Sequence, residues 1–81
     1  MKLKIVSPAK YTEHDVSWVE FNTPTGNYVI QEGHVPMIAM ISPSQPIMFR
    51  LKSGKQESII VKQGVAEITR EEATIIISHH E

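Results

Sequence analysis

The chain has 81 residues, the length of one small domain with a thin core, because a domain of this size buries only about 60% of the surface its unfolded chain exposes. It has no cysteine, so disulfides and thiolate zinc sites are excluded and no oxidising compartment is needed. Eight basic and nine acidic residues give a net charge of -1 without a basic block, which argues against a nucleic-acid partner.

The hydrophobic segments are too short to insert into a bilayer. The longest apolar run, residues 35–41, includes a proline, whereas a spanning helix needs about 20 residues. The opening MKLKIVSP reaches Ser7-Pro8 before a signal-peptide hydrophobic region forms. We therefore expect neither a leader nor direct bilayer insertion.

Alternating side chains predict strands in the first third of the chain. Leu3 and Ile5 fall on one face of KLKIVS, with Lys2 and Lys4 on the other, which predicts a strand that is solvated on one side. Residues 16–23 carry bulky side chains at both odd and even positions. This second strand is expected to be covered at one end by another layer.

A hairpin is predicted around Ser53-Gly54, because alternating residues 47–52 precede this turn and a β-branched run follows it. If these two residues form the whole loop, Arg50 faces Glu57. An opposite-charge cross-strand pair contributes roughly 0.2–1 kcal/mol.

Residues 65–77 allow two interpretations. The spacing of their apolar residues partly fits a helix, but the three isoleucines after Thr74 suit a pleated sheet better. With Arg70 to Glu72 as a polar turn, we predict two strands and keep one helix as the alternative.

These elements together predict a single all-β domain over residues 1–81. The five prolines fall at loops, and no linker, repeat or long capped helix divides the chain. Short strands separated by turn signals are typical of an antiparallel sandwich or barrel.

Signatures of catalysis are missing from the sequence. It contains no GxSxG turn, HExxH pair, phosphate-binding glycine loop or dinucleotide fingerprint. A thin sandwich also leaves little room for a small-molecule pocket. We expect no catalytic residue, no cofactor and no enzymatic activity of the chain by itself.

The histidines raise the question of a metal site. The most ligand-like run is His79-His80-Glu81, but adjacent residues on a strand point to opposite faces, so we predict no metal site and keep a histidine-rich metal domain as an alternative. His34 lies in a Gly-His-x-Pro turn, where its imidazole is expected to bond nearby backbone and hold the loop.

Three segments carry a family resemblance: TPTGNYVIQEGHVPMIAMISP, RLKSGKQESIIVKQGVAEI and ATIIISHHE. In order and spacing they resemble the amino-terminal domain of the epsilon subunit of F-type ATP synthase, called delta in mitochondria. The matching positions are Pro24, Gly26, Ile30, Gly33, His34, Pro36, Pro43, Arg50, Gly54, Gly64, Glu67, Ile68 and Thr74.

The resemblance implies a flattened antiparallel β-sandwich of about ten short strands in two five-stranded sheets. It also implies a non-catalytic rotor subunit that docks the gamma shaft onto the c ring, beside the alpha and beta subunits, and couples proton flow to ATP synthesis. Such a subunit lies peripherally on the cytoplasmic face of the bacterial inner membrane. A free-standing adaptor of the same fold is the alternative.

The resemblance further implies a contact loop for gamma or the c ring at the membrane-proximal end of the domain. Its residues are Gly26, Asn27, Tyr28, Gly33, His34 and Pro36. The tip residue is often acidic in the family and is Asn27 here, so a hydrogen bond would replace a charge pair.

Some positions depart from the family pattern. Tyr28-Val29 replaces Phe-Gly, Gln31-Glu32 replaces Leu-Pro, and Gln63 replaces the first glycine of a Gly-Gly pair. The sequence stops where relatives continue into a helical hairpin, so we expect no inhibitory arm and no nucleotide site. An exposed docking patch would favour weak self-association of the isolated domain.

Overall fold

The computed structural model describes residues 1–80, with side chains through Ser78, and the regular structure in this range is entirely β-strand. Seven strands are formed: β1 Lys2–Val6, β2 Tyr11–Thr23, β3 Gly26–Ile30, β4 Met37–Ile41, β5 Pro46–Leu51, β6 Gln56–Ile68 and β7 Glu72–His80. The predicted all-β class is confirmed.

The strands form two packed layers that share β2 and β6. The first sheet has the order β4-β6-β7-β1-β2, and the second has the order β3-β2-β5-β6. The sandwich is confirmed, but the two predicted five-stranded sheets are a five-stranded and a four-stranded sheet. Because β2 and β6 serve both sheets, the sandwich contains seven strands rather than ten. The pairings are antiparallel except that of β1 with β7, which is parallel.

A β-bulge moves β2 from one sheet to the other. Its first half, residues 11–15, pairs with β1, whereas the second half pairs with β5 and β3, and the register shifts between Val16 and Trp18. The extra residue changes the inward positions from even to odd numbers, because side chains alternate along a strand. The bulge explains why residues 16–23 carry bulk on both faces.

The core lies between the two inner faces. Its largest fully buried side chains are Phe21, Phe49, Leu3, Ile30, Ile47, Ile68, Ile75, Val16, Val19 and Val61. As predicted, Leu3 points into the core while Lys2 is exposed. The first sheet contributes small residues, Ala66 and Ala73, which let the two layers approach closely.

The β5–β6 hairpin is confirmed, but its loop is longer than predicted. The Leu51 amide donates to the Lys55 carbonyl at 2.8 Å, so the loop contains three residues, 52–54. Gly54 has a φ of 104°, a conformation that suits glycine at this position of a three-residue loop.

The extra loop residue changes the predicted cross-strand pair. Arg50 faces Gln56, not Glu57, and Glu57 faces Phe49. The predicted Arg50–Glu57 pair is therefore wrong. The Glu57 carboxylate instead lies 3.8 Å from the Lys55 ammonium.

The last third of the chain forms two strands, and the helical alternative is wrong. A tight turn joins β6 to β7, in which the Thr69 amide donates to the Glu72 carbonyl at 2.9 Å and the Glu72 amide donates to the Thr69 hydroxyl at 3.2 Å. Ile75 and Ile77 point into the core, while Ile76 is exposed, as expected for a strand with one solvated face.

We predict that Gly64→Ala destabilises the fold by about 1–3 kcal/mol, the usual cost of overpacking. Gly64 is buried at a register shift in β6, and a Cβ there would lie 3.1 Å from the backbone oxygen of Ile76, which cannot move without disturbing β7. Urea unfolding would measure the loss. Lys62→Ala, at an exposed site on the same strand, should change stability by less than about 0.5 kcal/mol, and an equal effect of both substitutions would contradict the crowding explanation.

Candidate docking surface

The six residues predicted to form one contact loop are divided by a strand. Gly26, Asn27 and Tyr28 belong to β3, while Gly33, His34 and Pro36 follow it. The interpretation of residues 26–36 as a single loop is therefore wrong. Because a strand rises about 3.3 Å per residue, Gly26 at the start of β3 lies about 13 Å from Ile30 at its end, and the second group lies beyond that end.

The first group is held by a β2–β3 turn built on a buried hydroxyl. The Thr23 hydroxyl donates to the Gly26 carbonyl at 2.9 Å and accepts from the Thr25 amide at 3.2 Å. Thr23 is 9% exposed, and Gly26 has a φ of 145°. The turn is consequently a rigid projection whose exposed tip is Pro24-Thr25.

Asn27 and Tyr28 point to opposite faces of β3. The Asn27 amide nitrogen donates to a Glu20 carboxylate oxygen and to the Asn22 side-chain oxygen, each at 3.1 Å. Tyr28 is half-buried and stacks on Phe21, with ring centroids 6.1 Å apart. Asn27 is thus available at the surface, whereas Tyr28 supports the core.

The second group is tied to the β6–β7 turn by backbone hydrogen bonds. The Gly33 amide donates to the Arg70 carbonyl at 2.8 Å, and Gly33 has a φ of 87°. The Nδ1 atom of His34 lies 2.7 Å from the Val35 carbonyl oxygen, so this nitrogen must carry the proton and donate. The predicted backbone bond of His34 is present, and Pro36 is exposed just before β4.

Among the residues whose side chains the structure describes, 1–78, no three histidine or acidic side chains are grouped so that they could hold a metal ion. The side chains of His79 and His80, and all of Glu81, lie outside the described part of the chain. Residues 1–80 also contain no helix long and apolar enough to span a membrane.

An apolar row crosses the outer face of the first sheet. Met40 faces Val65, Val65 faces Ile76, Ile76 lies beside Val6, and Val6 faces Tyr11, so every strand of this sheet contributes one apolar or aromatic side chain. Met40 is 66% exposed and Tyr11 is 52% exposed. The row is exposed at Met40, Ile76 and Tyr11 and half-buried at Val65 and Val6. Adjacent apolar side chains of this kind mark an interaction surface more strongly than scattered apolar residues do.

A second row, polar except for Ile38 at one end, lies next to the apolar row. It consists of Ile38, Glu67, Thr74, Lys4 and Glu13, each facing the next across the sheet. Its ion pairs join Lys4 to Glu72 at 3.2 Å and Lys2 to Glu13 at 3.3 Å. The outer face thus has an apolar row with a charged row along one side, and apolar contacts beside polar ones are typical of a protein interface.

Tyr11 links the two rows. Its hydroxyl donates to a Glu13 carboxylate oxygen at 2.6 Å, and this bond, aided by Lys2, lowers the pKa of Glu13. The same bond raises the pKa of Tyr11, since the proton is shared with an anion. The Glu72 carboxylate, hydrogen-bonded to Lys4, raises the pKa of Lys4.

Sequence reasoning did not identify the apolar row. The one available signal was the apolar run of residues 35–41, in which Ile38 and Met40 prove to be exposed while Ile41 is buried. The row becomes visible only when the register of five strands is known, because its members come from distant parts of the chain.

The family is established by comparison with known proteins. All of residues 1–81 match the family described as the ATP synthase, Delta/Epsilon chain, beta-sandwich domain. The chain belongs to this family. The resemblance seen in the sequence is therefore confirmed over its full extent.

Two relatives of this delta/epsilon-type sandwich are longer than the chain. It is 28% identical over 78 residues to the ATP synthase epsilon chain of a Nitratiruptor species, covering 95% of this chain and 60% of the relative. It is 33% identical over 73 residues to ATP synthase epsilon chain 1 of Nitrobacter hamburgensis, covering 89% and 53%. The chain thus spans little more than half the length of these relatives.

Solved structures with little sequence identity share the fold. A chain of the Euglena gracilis mitochondrial ATP synthase has a TM-score of 0.86 at 15% identity, covering 98% of this chain and 51% of that one. A chain from the central stalk and c ring of the Tetrahymena thermophila mitochondrial ATP synthase has a TM-score of 0.81 at 16% identity, covering 96% and 63%. At this level of identity the likeness concerns the fold alone.

We predict that Tyr11→Phe raises the pKa of Glu13 towards its ordinary value, because the hydrogen bond that favours the carboxylate is lost. Since the folded-state pKa of Glu13 is lowered, its contribution to stability is present when the carboxylate is ionised and is lost as the pH falls through that pKa. The stability difference between the two proteins should therefore be larger at pH 7 than in acid. A carboxyl ¹³C NMR titration would measure the pKa of Glu13, and urea unfolding at pH 7 and in acid would measure the stability difference.

The matched control is Tyr28→Phe, which removes a tyrosine hydroxyl from the other sheet. It should leave the titration of Glu13 unchanged. An unaltered Glu13 titration in Tyr11→Phe would show that the hydroxyl does not stabilise the carboxylate in solution.

Proposed function

We propose that the chain is a non-catalytic central-stalk module of an F-type ATP synthase, docking the gamma shaft onto the c ring and so coupling proton flow to ATP synthesis. In this role it is peripheral to the membrane, on the side that carries the catalytic alpha and beta subunits. Membership of the delta/epsilon family supports the assignment. The observation that carries it is the apolar row, which offers a docking surface and no reactive group.

The dimensions of the apolar row fit an α-helical partner. Neighbouring strands lie about 4.8 Å apart, so a row across five strands is about 19 Å long. A helix rises 1.5 Å per residue, and about 13 residues would cover that length. Gamma is therefore expected to present one helix face across the strands, with its charged residues opposite the ion-paired margin of the row.

Mechanical coupling also requires that the module does not bend. Five strands form a closed circuit of hydrogen-bonded pairs, in the order β1-β7-β6-β5-β2 and back to β1. The Ser42 amide further donates to the Asn22 carbonyl at 2.8 Å, joining the chain after β4 to β2. Because no layer can rotate without breaking strand pairs, torque on one face reaches the other.

The β2–β3 turn is the better candidate for the ring contact. Its tip projects from the sandwich, whereas the loop of Gly33 and His34 uses its amides and imidazole proton in internal bonds. Asn27 lies beside this tip. Its side-chain nitrogen donates to Glu20 and Asn22, and its side-chain oxygen accepts no hydrogen bond from the described residues, so it could accept one from a partner. Of the six predicted contacts, we assign Gly26 and Asn27 to the ring side, with Gly33, His34 and Pro36 as loop supports.

We predict that Ile76→Arg weakens binding to purified gamma at least tenfold, because a charge would be placed in the middle of the apolar row. The matched control is Val29→Arg, since Val29 is 50% exposed and Ile76 is 43% exposed, but Val29 lies on the outer face of the second sheet. A pull-down and calorimetric titration with gamma would measure both. Equal binding by both variants would place the gamma site elsewhere.

We predict that Asn27→Lys alters binding of the gamma complex to purified c ring, while Gln31→Lys does not. Both changes replace an exposed amide with a cation, at opposite ends of β3. Co-sedimentation with ring-containing liposomes would compare them. The reverse result would assign the ring contact to the end of β3 that precedes His34. If the wild-type chain binds neither gamma nor the ring, the adaptor alternative is favoured.

A further inference from the structure

A cleft of about 290 Å³ opens between the two sheets, away from both proposed docking surfaces. It arises where the long strands change sheets. Residues 11–15 of β2 pair only with β1, and residues 56–60 of β6 pair only with β5, so the cleft side of each half-strand has no partner strand within the described structure.

The cleft interior is apolar. Ile5, Phe49, Ile59, Val61 and Ile77 line it, all from the inner faces of the sandwich. Phe49 and Val61 are almost fully buried, whereas Ile5 and Ile59 remain partly exposed. Core-facing side chains that stay half-exposed leave apolar surface that an apolar ligand could cover.

The charges around the cleft are unequal. Lys10 lines it and takes part in no ion pair among the described residues, while the Glu57 carboxylate has the Lys55 ammonium 3.8 Å away. His14 also lines the cleft, with its ring centroid 5.2 Å from that of Phe49, and supplies ring nitrogens at the border of the apolar wall. Of the two charged side chains that line the cleft, Lys10 is therefore the one without an ion-pair partner among the described residues.

The β1–β2 turn fixes the backbone that carries Lys10. The Ser7 amide and the Ser7 hydroxyl both donate to the Lys10 carbonyl, at 2.8 Å and 3.1 Å. The Lys10 side chain therefore starts from a hydrogen-bonded backbone position beside the cleft.

We infer that this cleft binds a small amphiphilic anion, with an acyl chain between the sheets and its carboxylate at Lys10 and His14. The volume corresponds to about ten water molecules at about 30 Å³ each, which matches a ligand of about ten non-hydrogen atoms. Octanoate has this size and polarity. A ligand so small is expected to bind with a Kd on the order of millimolar.

Titration of the ¹⁵N-labelled chain with octanoate tests the inference. The amide signals of Ile5, Lys10 and Ile59 should move in a saturable way, and those of Met40 and Val65, the apolar-row residues with no chain neighbour in the cleft, should not. Octylammonium, with the same chain and the opposite charge, should bind at least fivefold more weakly. Butanoate, which has the same head and a shorter chain, should also bind more weakly.

Variants of the chain distinguish octanoate binding in the cleft from a general effect of the protein's charge. Lys10→Glu should weaken octanoate binding at least fivefold, whereas Lys62→Glu, an equal charge change outside the cleft, should not. Ile59→Ala removes part of the apolar lining of the cleft and should weaken the binding of octanoate more than that of butanoate. Equal binding of octanoate and octylammonium, equal loss in both lysine variants, or signal changes confined to the outer face would each overturn the inference.

Discussion

The register shift in β2 is the constraint on which the rest of the structure depends. By inserting one residue between Val16 and Trp18, it lets one strand pair with β1 in the first sheet and with β5 in the second. β6 changes sheets in the opposite direction: its first part pairs with β5 in the second sheet, and its second part pairs with β7 in the first. These two crossings close the circuit of strand pairs and give a thin domain a rigidity that its small core alone would not provide.

The same crossings create the surfaces of the molecule. Where β2 and β6 leave their sheets, residues 11–15 and 56–60 have no paired strand on one side among residues 1–80, and the cleft opens between them. Where both strands lie in the first sheet, five strands stand side by side, and one position from each supplies the apolar row. The closed circuit of strand pairs, the candidate docking face and the cleft therefore follow from one topological arrangement.

Polar groups around the turns serve the fold as much as any contact. The Thr23 hydroxyl shapes the β2–β3 turn, and the imidazole of His34 holds the backbone after β3. A Gly-His-x-Pro segment that looks functional in the sequence can be explained by its internal bonds. The candidate contact surface instead consists of ordinary apolar side chains, with their charged neighbours at the margin.

The sequence by itself determined the all-β class, the first strand, the hairpin after β5 and the two final strands, because each depends on alternation and turn residues that are close in the chain. The family pattern also placed Gly33 and His34 in a tight loop. Local features did not reveal that the hairpin loop has three residues, so Arg50 was assigned the wrong partner.

Tertiary structure alone decided how the strands meet. The parallel pairing of β1 with β7 joins opposite ends of the chain. The strands number seven because the second sheet has four strands and two of these also belong to the first. The separation of Gly26 from His34 likewise depends on β3 pairing with β2. The apolar row joins residues as far apart as Val6 and Ile76, and non-local register of this kind is set by packing of the whole sandwich rather than by any short stretch of sequence.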